Sequence, residues 1–172
     1  MQIVSSGGLI VLRHRHLDAR DATVHESTFT LPADVGTLIG VAIRKIMVDH
    51  QGFTIPTGYG TPKVTAAIST VQGMTGIPCY SNPGTIMAYF HELYLMEVAT
   101  STAAGAHEER PPGGILDYTP IPLIVVDKVL SLYTLCEGQT ATPGWFHLAM
   151  YYELVKLTQN EFMAAMSVME SL

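Results

Sequence analysis

The chain has 172 residues and a net charge of −6. That length suits one domain, burying about 70% of its unfolded surface, and the acidic balance excludes a basic nucleic-acid groove as the main working surface. Charged residues make up 14% of the chain, against about 25% in ordinary soluble domains. So little charge predicts that much of the outside is covered by other subunits or by a membrane. Met1-Gln2-Ile3-Val4 has no charged leader region. The longest apolar stretch, Ile115–Leu135, is broken by Asp117, Pro120, Pro122, Asp127 and Lys128. Neither a signal peptide nor a membrane-spanning helix is expected from these segments.

Turn residues recur roughly every eight to fifteen positions, the spacing of an all-β sandwich or barrel. Eight strands are predicted in chain order: Gly8–His14, Thr23–Leu31, Thr37–Asp49, Lys63–Gln72, Thr85–Ala99, Ile121–Val126, Val129–Cys136 and Trp145–Leu157. In the third, Val41, Ile43, Lys45 and Met47 oppose Ala42, Arg44, Ile46 and Val48. The fourth sets Val64, Ala66, Ile68 and Thr70 on one side. The fifth also fits a helical face through Ile86, Tyr89, Phe90, Leu93 and Met96, and its aromatic residues tip it to strand. In the last, Phe146, Leu148, Met150, Tyr152 and Leu154 share one face. Three loops, Gln51–Pro62, Gly73–Gly84 and Ala99–Gly114, are rich in Gly, Pro, Ser and Thr and suit exposed or contact-making positions on a rigid scaffold.

Thr158 followed three residues later by Glu161 is a capping box, in which each side chain bonds the other residue's backbone N–H. It predicts a short helix over about 159–171, with Phe162, Ala165, Met166 and Met169 as an apolar stripe. Phe162, Met166 and Met169 are the predicted interface residues, packing over one barrel end or against a neighbouring subunit.

Chemistry-bearing groups are few. His14 and His16, two apart on a strand, share a face and could share a cation. With Asp21, and with Gly138, Pro143, Gly144 and His147, they echo the two halves of a cupin metal site. Those halves lie here at opposite ends of the chain, whereas cupin motifs sit on adjacent strands, so exposed histidines are the plainer reading. Arg13, Arg15 and Arg20 form a local basic group, read as a solvated strand edge or a contact for an acidic partner. No G-x-S-x-G elbow, phosphate-binding loop or G-x-G-x-x-G fingerprint is present. Cys79 and Cys136 are too few for a disulfide framework and are expected to be buried free thiols, with an intermolecular bridge as the alternative.

The eight β-segments, the low charge, the Gly/Pro/Thr-rich loops and the closing WFHLAMYYELVKLTQNEFMAAM together resemble a jelly-roll viral capsid protein. The pairing of Phe29–Leu31-Pro32 with Gly40–Asp49 belongs to the same pattern. In particular the chain resembles the small single-barrel major capsid proteins of tailless icosahedral viruses with an internal membrane, from thermophilic bacterial and halophilic archaeal viruses. The resemblance implies an all-β fold, an eight-stranded jelly roll over about 8–157 with a short C-terminal helix, as a single domain spanning 1–172. It implies a structural, non-enzymatic virion protein without cofactor or metal, made in the host cytoplasm. Its partners would be copies of itself and a second, larger capsid protein, with contact to an internal viral membrane and with no specific nucleic acid. Two alternatives stand beside it: a cupin-like metal enzyme using His14, His16, Asp21 and His147, and a β-sandwich binding module of a viral fibre using the Ala99–Gly114 loop.

Overall fold

The computed structural model describes residues 2–3, 8–50, 63–79, 81–82, 84–96, 105–108, 115–137 and 143–171. Among these the strands are β1 (Gln2–Ile3), β2 (Ile10–Asp18), β3 (His25–Thr30), β4 (Ile39–His50), β5 (Lys63–Ser69) and β6 (Thr85–Met96). They continue with β7 (Gly105–Glu108), β8 (Ile115–Asp117), β9 (Leu123–Val125), β10 (Val129–Glu137) and β11 (Gly144–Lys156), and the helix α1 (Gln159–Ser171) closes the series.

The pairings are antiparallel and nested. β2 pairs with β11, β3 with β10, β4 with β8 and β9, and β5 with β6. The chain alternates between two sheets as it runs through these pairs. Sheet A has the order β2–β11–β4 and then β8 and β9, which occupy one strand position end to end; β1 prolongs the β2 edge along β11. Sheet B has the order β3–β10–β5–β6–β7. That order is a jelly roll. With β8 and β9 counted as one strand, and β1 and β7 as additions, the predicted eight-stranded roll is present.

Side chains from both inner faces meet in one core. Phe146, Leu148, Met150 and Tyr152 of β11 pack there with Ile46 and Val48 of β4, and with Ile68 of β5 and Leu130 and Leu132 of β10. The strict alternation read on β11 holds along its length. On β4 it does not. Val41 and Ile43 point inward at one end, Ile46 and Val48 at the other, so each predicted face supplies half of the true inner face. The register against β11 shifts between Tyr151, opposite Lys45, and Tyr152, opposite Ile43, leaving Arg44 as an extra residue. One inserted residue reverses the facing of everything beyond it. The Arg44 carbonyl accepts the Tyr118 N–H at 2.7 Å, and its guanidinium donates to Glu153 Oε2 from Nε (3.0 Å) and Nη2 (2.8 Å). Opposite the bulge β8 ends and β9 begins, with Pro120 and Pro122, which lack N–H donors, filling the gap.

The predicted capping box is present. The Thr158 N–H donates to Glu161 Oε2 at 2.8 Å, and the Glu161 N–H to Thr158 Oγ1 at 3.3 Å. The helix lies on the outside of sheet A, where Ala42, Val126, Val155, Leu157 and Phe162 form a second apolar cluster. β11 is therefore buried on both faces at its end, which explains why Leu154 and Val155, neighbours in sequence, are both covered.

The segment Thr85–Ala99 is a strand over Thr85–Met96, paired with β5 from Ser69↔Thr85 to Lys63↔Glu92. A strand there supplies β5 with the second neighbour that a helix could not. The Ala99–Gly114 loop contains a short strand, β7, which its polar composition concealed. The rest of that loop and Gln51–Pro62 fall outside the described residues. Of Gly73–Gly84, the described first part folds onto sheet B. Met74 N–H donates to the buried Tyr133 hydroxyl at 3.2 Å, and Gly73 N–H to Glu26 Oε2 at 3.0 Å.

Phe162 is 3% exposed and is the largest side chain joining helix to sheet. Phe162→Ala should cost about 3–5 kcal/mol. Urea unfolding should show a lower midpoint with an unchanged slope, as expected when packing is lost and the fold kept.

Candidate functional site

β2 is the edge of sheet A, and its two faces differ in kind. Val11, Arg13, Arg15 and Leu17 point outward and are exposed, whereas Ile10, Leu12, His14, His16 and Asp18 point toward sheet B. His14 and His16 are therefore half-buried between the sheets, which corrects the expectation of exposed histidines. Alternation along IVLRHRHLD separates the two sets, but each mixes apolar with ionisable residues and neither declares itself the inner one.

The inward residues make a polar strip along the sandwich edge. His14 Nε2 shares a hydrogen bond with Ser27 Oγ at 2.8 Å, and its ring lies 5.2 Å from that of Phe29. The fully buried Asp18 accepts the Arg20 N–H at 2.7 Å and the Thr134 hydroxyl. Arg20 adopts φ +56°, a conformation costly for a side-chain-bearing residue, and its guanidinium lies against Gly144, where an added Cβ would collide with it. So Arg20, expected on a solvated edge, is buried and apart from Arg13 and Arg15.

Several features decide what this strip can do. Burial holds His14 and His16 below the usual imidazole value; for His16 the neighbouring His25 and His14 lower it further and Asp18 opposes them. The Cys136 thiol is pushed up to about 12, by burial first and then by the Asp18 charge, so it is protonated at neutral pH and is no nucleophile. Asp21 is exposed and engaged by the Thr23 hydroxyl (2.6 Å) and His25 Nε2 (2.8 Å), which bring its carboxyl down to about 2. His147 points out of the opposite face of sheet A from His14 and His16. His14, His16, Asp21 and His147 thus do not converge, and among the described residues no group of three or more His, Cys, Asp or Glu could hold a metal ion. The cupin-like arrangement is not formed. Cys79 is exposed rather than buried, in a turn where its N–H donates to Asn82 Oδ1 at 2.8 Å; neither cysteine is in a disulfide.

Of the residues predicted as an interface, Phe162 is committed to its own sheet, Met166 is 38% exposed beside Met163 at 59%, and the Met169 side chain lies outside the described residues. Between α1 and β9 runs a mostly apolar groove of about 420 Å³ lined by Pro122, Leu123, Ile124, Leu157, Ala164 and Ala165 together with Glu161. Ile121 stands at its edge in sequence, 80% exposed. Sequence reasoning missed this groove because Ile121 and Pro122 read as the start of a strand that begins only at Leu123.

No family model and no curated protein matches the chain. Among solved structures it is similar to VP1 of Trichodysplasia spinulosa-associated polyomavirus, with TM-score 0.48, 9% identity, and coverage of 90% of this chain and 99% of that one. It is also similar to Merkel cell polyomavirus VP1 in complex with disialyllactose, with TM-score 0.47, 8% identity, and coverage of 91% and 99%. These are likenesses of shape at very low identity. The jelly-roll assignment rests on the strand order of this chain itself.

Because His14 and His16 are held neutral, the unfolded chain takes up protons in mild acid that the folded chain refuses. Their contribution to stability is present above pH about 6.5 and is lost as pH falls from there through the lowered folded values. The urea midpoint should be lower at about pH 5.5 than at about pH 7.5. His16→Asn should shrink that difference.

Proposed function

We propose that the chain is a structural protein of a virion shell, working through contacts with copies of itself and with a second, larger capsid protein. In this reading residues 1–172 form one domain whose task is packing, and no catalytic step is assigned to it. The observation that carries it is a jelly roll that keeps large apolar side chains outside on several surfaces. Ile121 is 80% exposed, Val35 65% and Met163 59%, in a chain with 14% charged residues. A lone soluble domain keeps such side chains scattered and its surface charged. Many weak contacts, each repeated by symmetry, use them instead. Met163 and Met166, on the exposed side of α1, and the groove beside β9 suit a neighbouring subunit, and an internal viral membrane is the other surface the reading allows there. The lack of a formed metal cluster among the described residues leaves the cupin-like reading without its site.

Electron microscopy of the concentrated protein, alone and mixed with a candidate larger capsid protein, tests this. Regular oligomers or shell-like particles are expected. A strict monomer at every concentration, with no particles in either sample, would overturn the reading.

A further inference from the structure

Helix α1 covers one end of the outer face of sheet A, and the Arg44–Glu153 ion pair spans its middle. Among the described residues nothing covers the other end. There the register places Arg15 of β2, His147 of β11 and Asp49 of β4 in one row across the sheet. In the next row Arg13, Ala149 and Met47 stand in line, with Ile115 of β8 beyond them. Val11, Leu17 and Ile115 are exposed apolar residues on this same face. Ala149 floors a groove of about 350 Å³ between Arg13, Met47 and His147.

The charges on the β2 side of this patch are Arg13 and Arg15; on the β4 side Lys45 stands in register with Asp117 of β8 and offsets it, which leaves Asp49 as the uncompensated charge there. Arg15 is held over the Trp145 ring, 4.4 Å from its centroid, and neither Arg13 nor Arg15 forms an ion pair within its own chain among the described residues. Asp49 accepts only the His50 N–H among the described residues. A face that is basic on one side and acidic on the other is complementary to itself when turned about an axis along its middle strand. That operation lays the β2 side of one copy over the β4 side of the other.

We propose that this uncovered patch is where a second copy of the chain docks, about a two-fold axis parallel to the strands and passing over β11. Arg15 then meets the partner's Asp49, and Asp49 meets the partner's Arg15. The outward residues of β11 lie along the axis, so Ala149, the smallest of them, leaves room there while His147 and Tyr151 meet their own copies on either side of it, and Val11, Leu17 and Ile115 are covered. With strands about 4.8 Å apart and about 3.3 Å of rise per residue, the four strand positions offer a patch of roughly 20 by 30 Å. That is the order of the ~800 Å² per partner in a standard interface. Isologous pairing of sheets in near alignment is a common packing. The inference deepens the shell reading by naming one of its contacts, and it rests on that reading.

Charge exchange tests it. Arg15→Glu and Asp49→Lys each place like charges across the axis twice, so each variant alone should associate at least about tenfold more weakly than the wild type by sedimentation velocity. Mixed in equal amounts, the two variants present only opposite charges to each other and should recover the dimer as a heterodimer. Melting curves and circular dichroism check that both variants fold. Ala149→Arg, on the axis, should block association by bulk, without touching the charge pair. Wild-type oligomers that persist in all three variants, or a variant mixture that stays monomeric, would overturn this contact. Particles formed equally by wild type and variants would remove the contact and leave the shell reading standing. A wild type that dimerises through this patch yet never forms particles would keep the contact and remove the shell. A monomeric wild type without particles removes both.

Discussion

The structure depends on one act of insertion: the last strand must seat between two of the first. β11 is hydrogen-bonded to β2 on one side and to β4 on the other, and β2 and β4 are not bonded to each other. Until Gly144–Lys156 arrives, sheet A has no middle. The pairing joins residues from opposite ends of the chain, as in Gly144 with Asp18, so the loop-closure entropy falls before the contacts offset it. A fold dominated by such distant pairings is expected to form slowly. The compensation is burial. Phe146, Leu148, Met150 and Tyr152 enter the core from this one strand, and Val155 and Leu157 are covered on the other face by the helix that follows.

The bulge at Arg44 makes this seating compatible with the rest of the sheet. Without it, β4 would present either Val41 and Ile43 or Ile46 and Val48 to the core, but not both pairs. The added residue lets each end of β4 turn its apolar set inward, and Arg44 uses its outward position to bond Glu153 and the Tyr118 N–H. It also divides the outer face of sheet A. On one side of the Arg44–Glu153 pair the face is closed by α1. On the other no described residue covers it, with Arg13 and Arg15 on one flank and Asp49, Lys45 and Asp117 on the other. The bulge thus lies between the part of the outer face that α1 covers and the part that no described residue covers.

The interior polar strip of β2 serves the protection of that sheet's edge. An edge strand facing inward with His14, His16 and Asp18 is poorly suited to pair with a stray strand, and inward charge is one way sheets protect their edges. His14 is tied to Ser27, and Asp18 to Thr134 and the Arg20 backbone. Cys136, behind this strip, stays protonated at neutral pH, because burial first and the Asp18 charge second raise its thiol.

Local patterns are legible in the chain alone. The β11 alternation, the Thr158–Glu161 cap and the positions of β3, β5, β6 and β10 follow from apolar and β-branched runs bounded by turn residues and from orphaned helix N–H groups, both set by residues close in sequence. The apolar stripe of α1 is visible too, but not that Phe162 closes on Val155 and Leu157 of its own sheet. For β2 the alternation is legible while its inner face is not, because both faces carry ionisable residues and only the seat beside β11 and β3 chooses between them. The β4 bulge leaves no mark, since either unbroken face looks acceptable alone; it is decided by β11 on one flank and by β8 and β9 on the other. The chain by itself thus determined which segments extend and where the helix starts, which are local matters of backbone and side-chain period. Only tertiary structure decided which faces meet and which stay open, because burial is settled between strands that the sequence holds far apart.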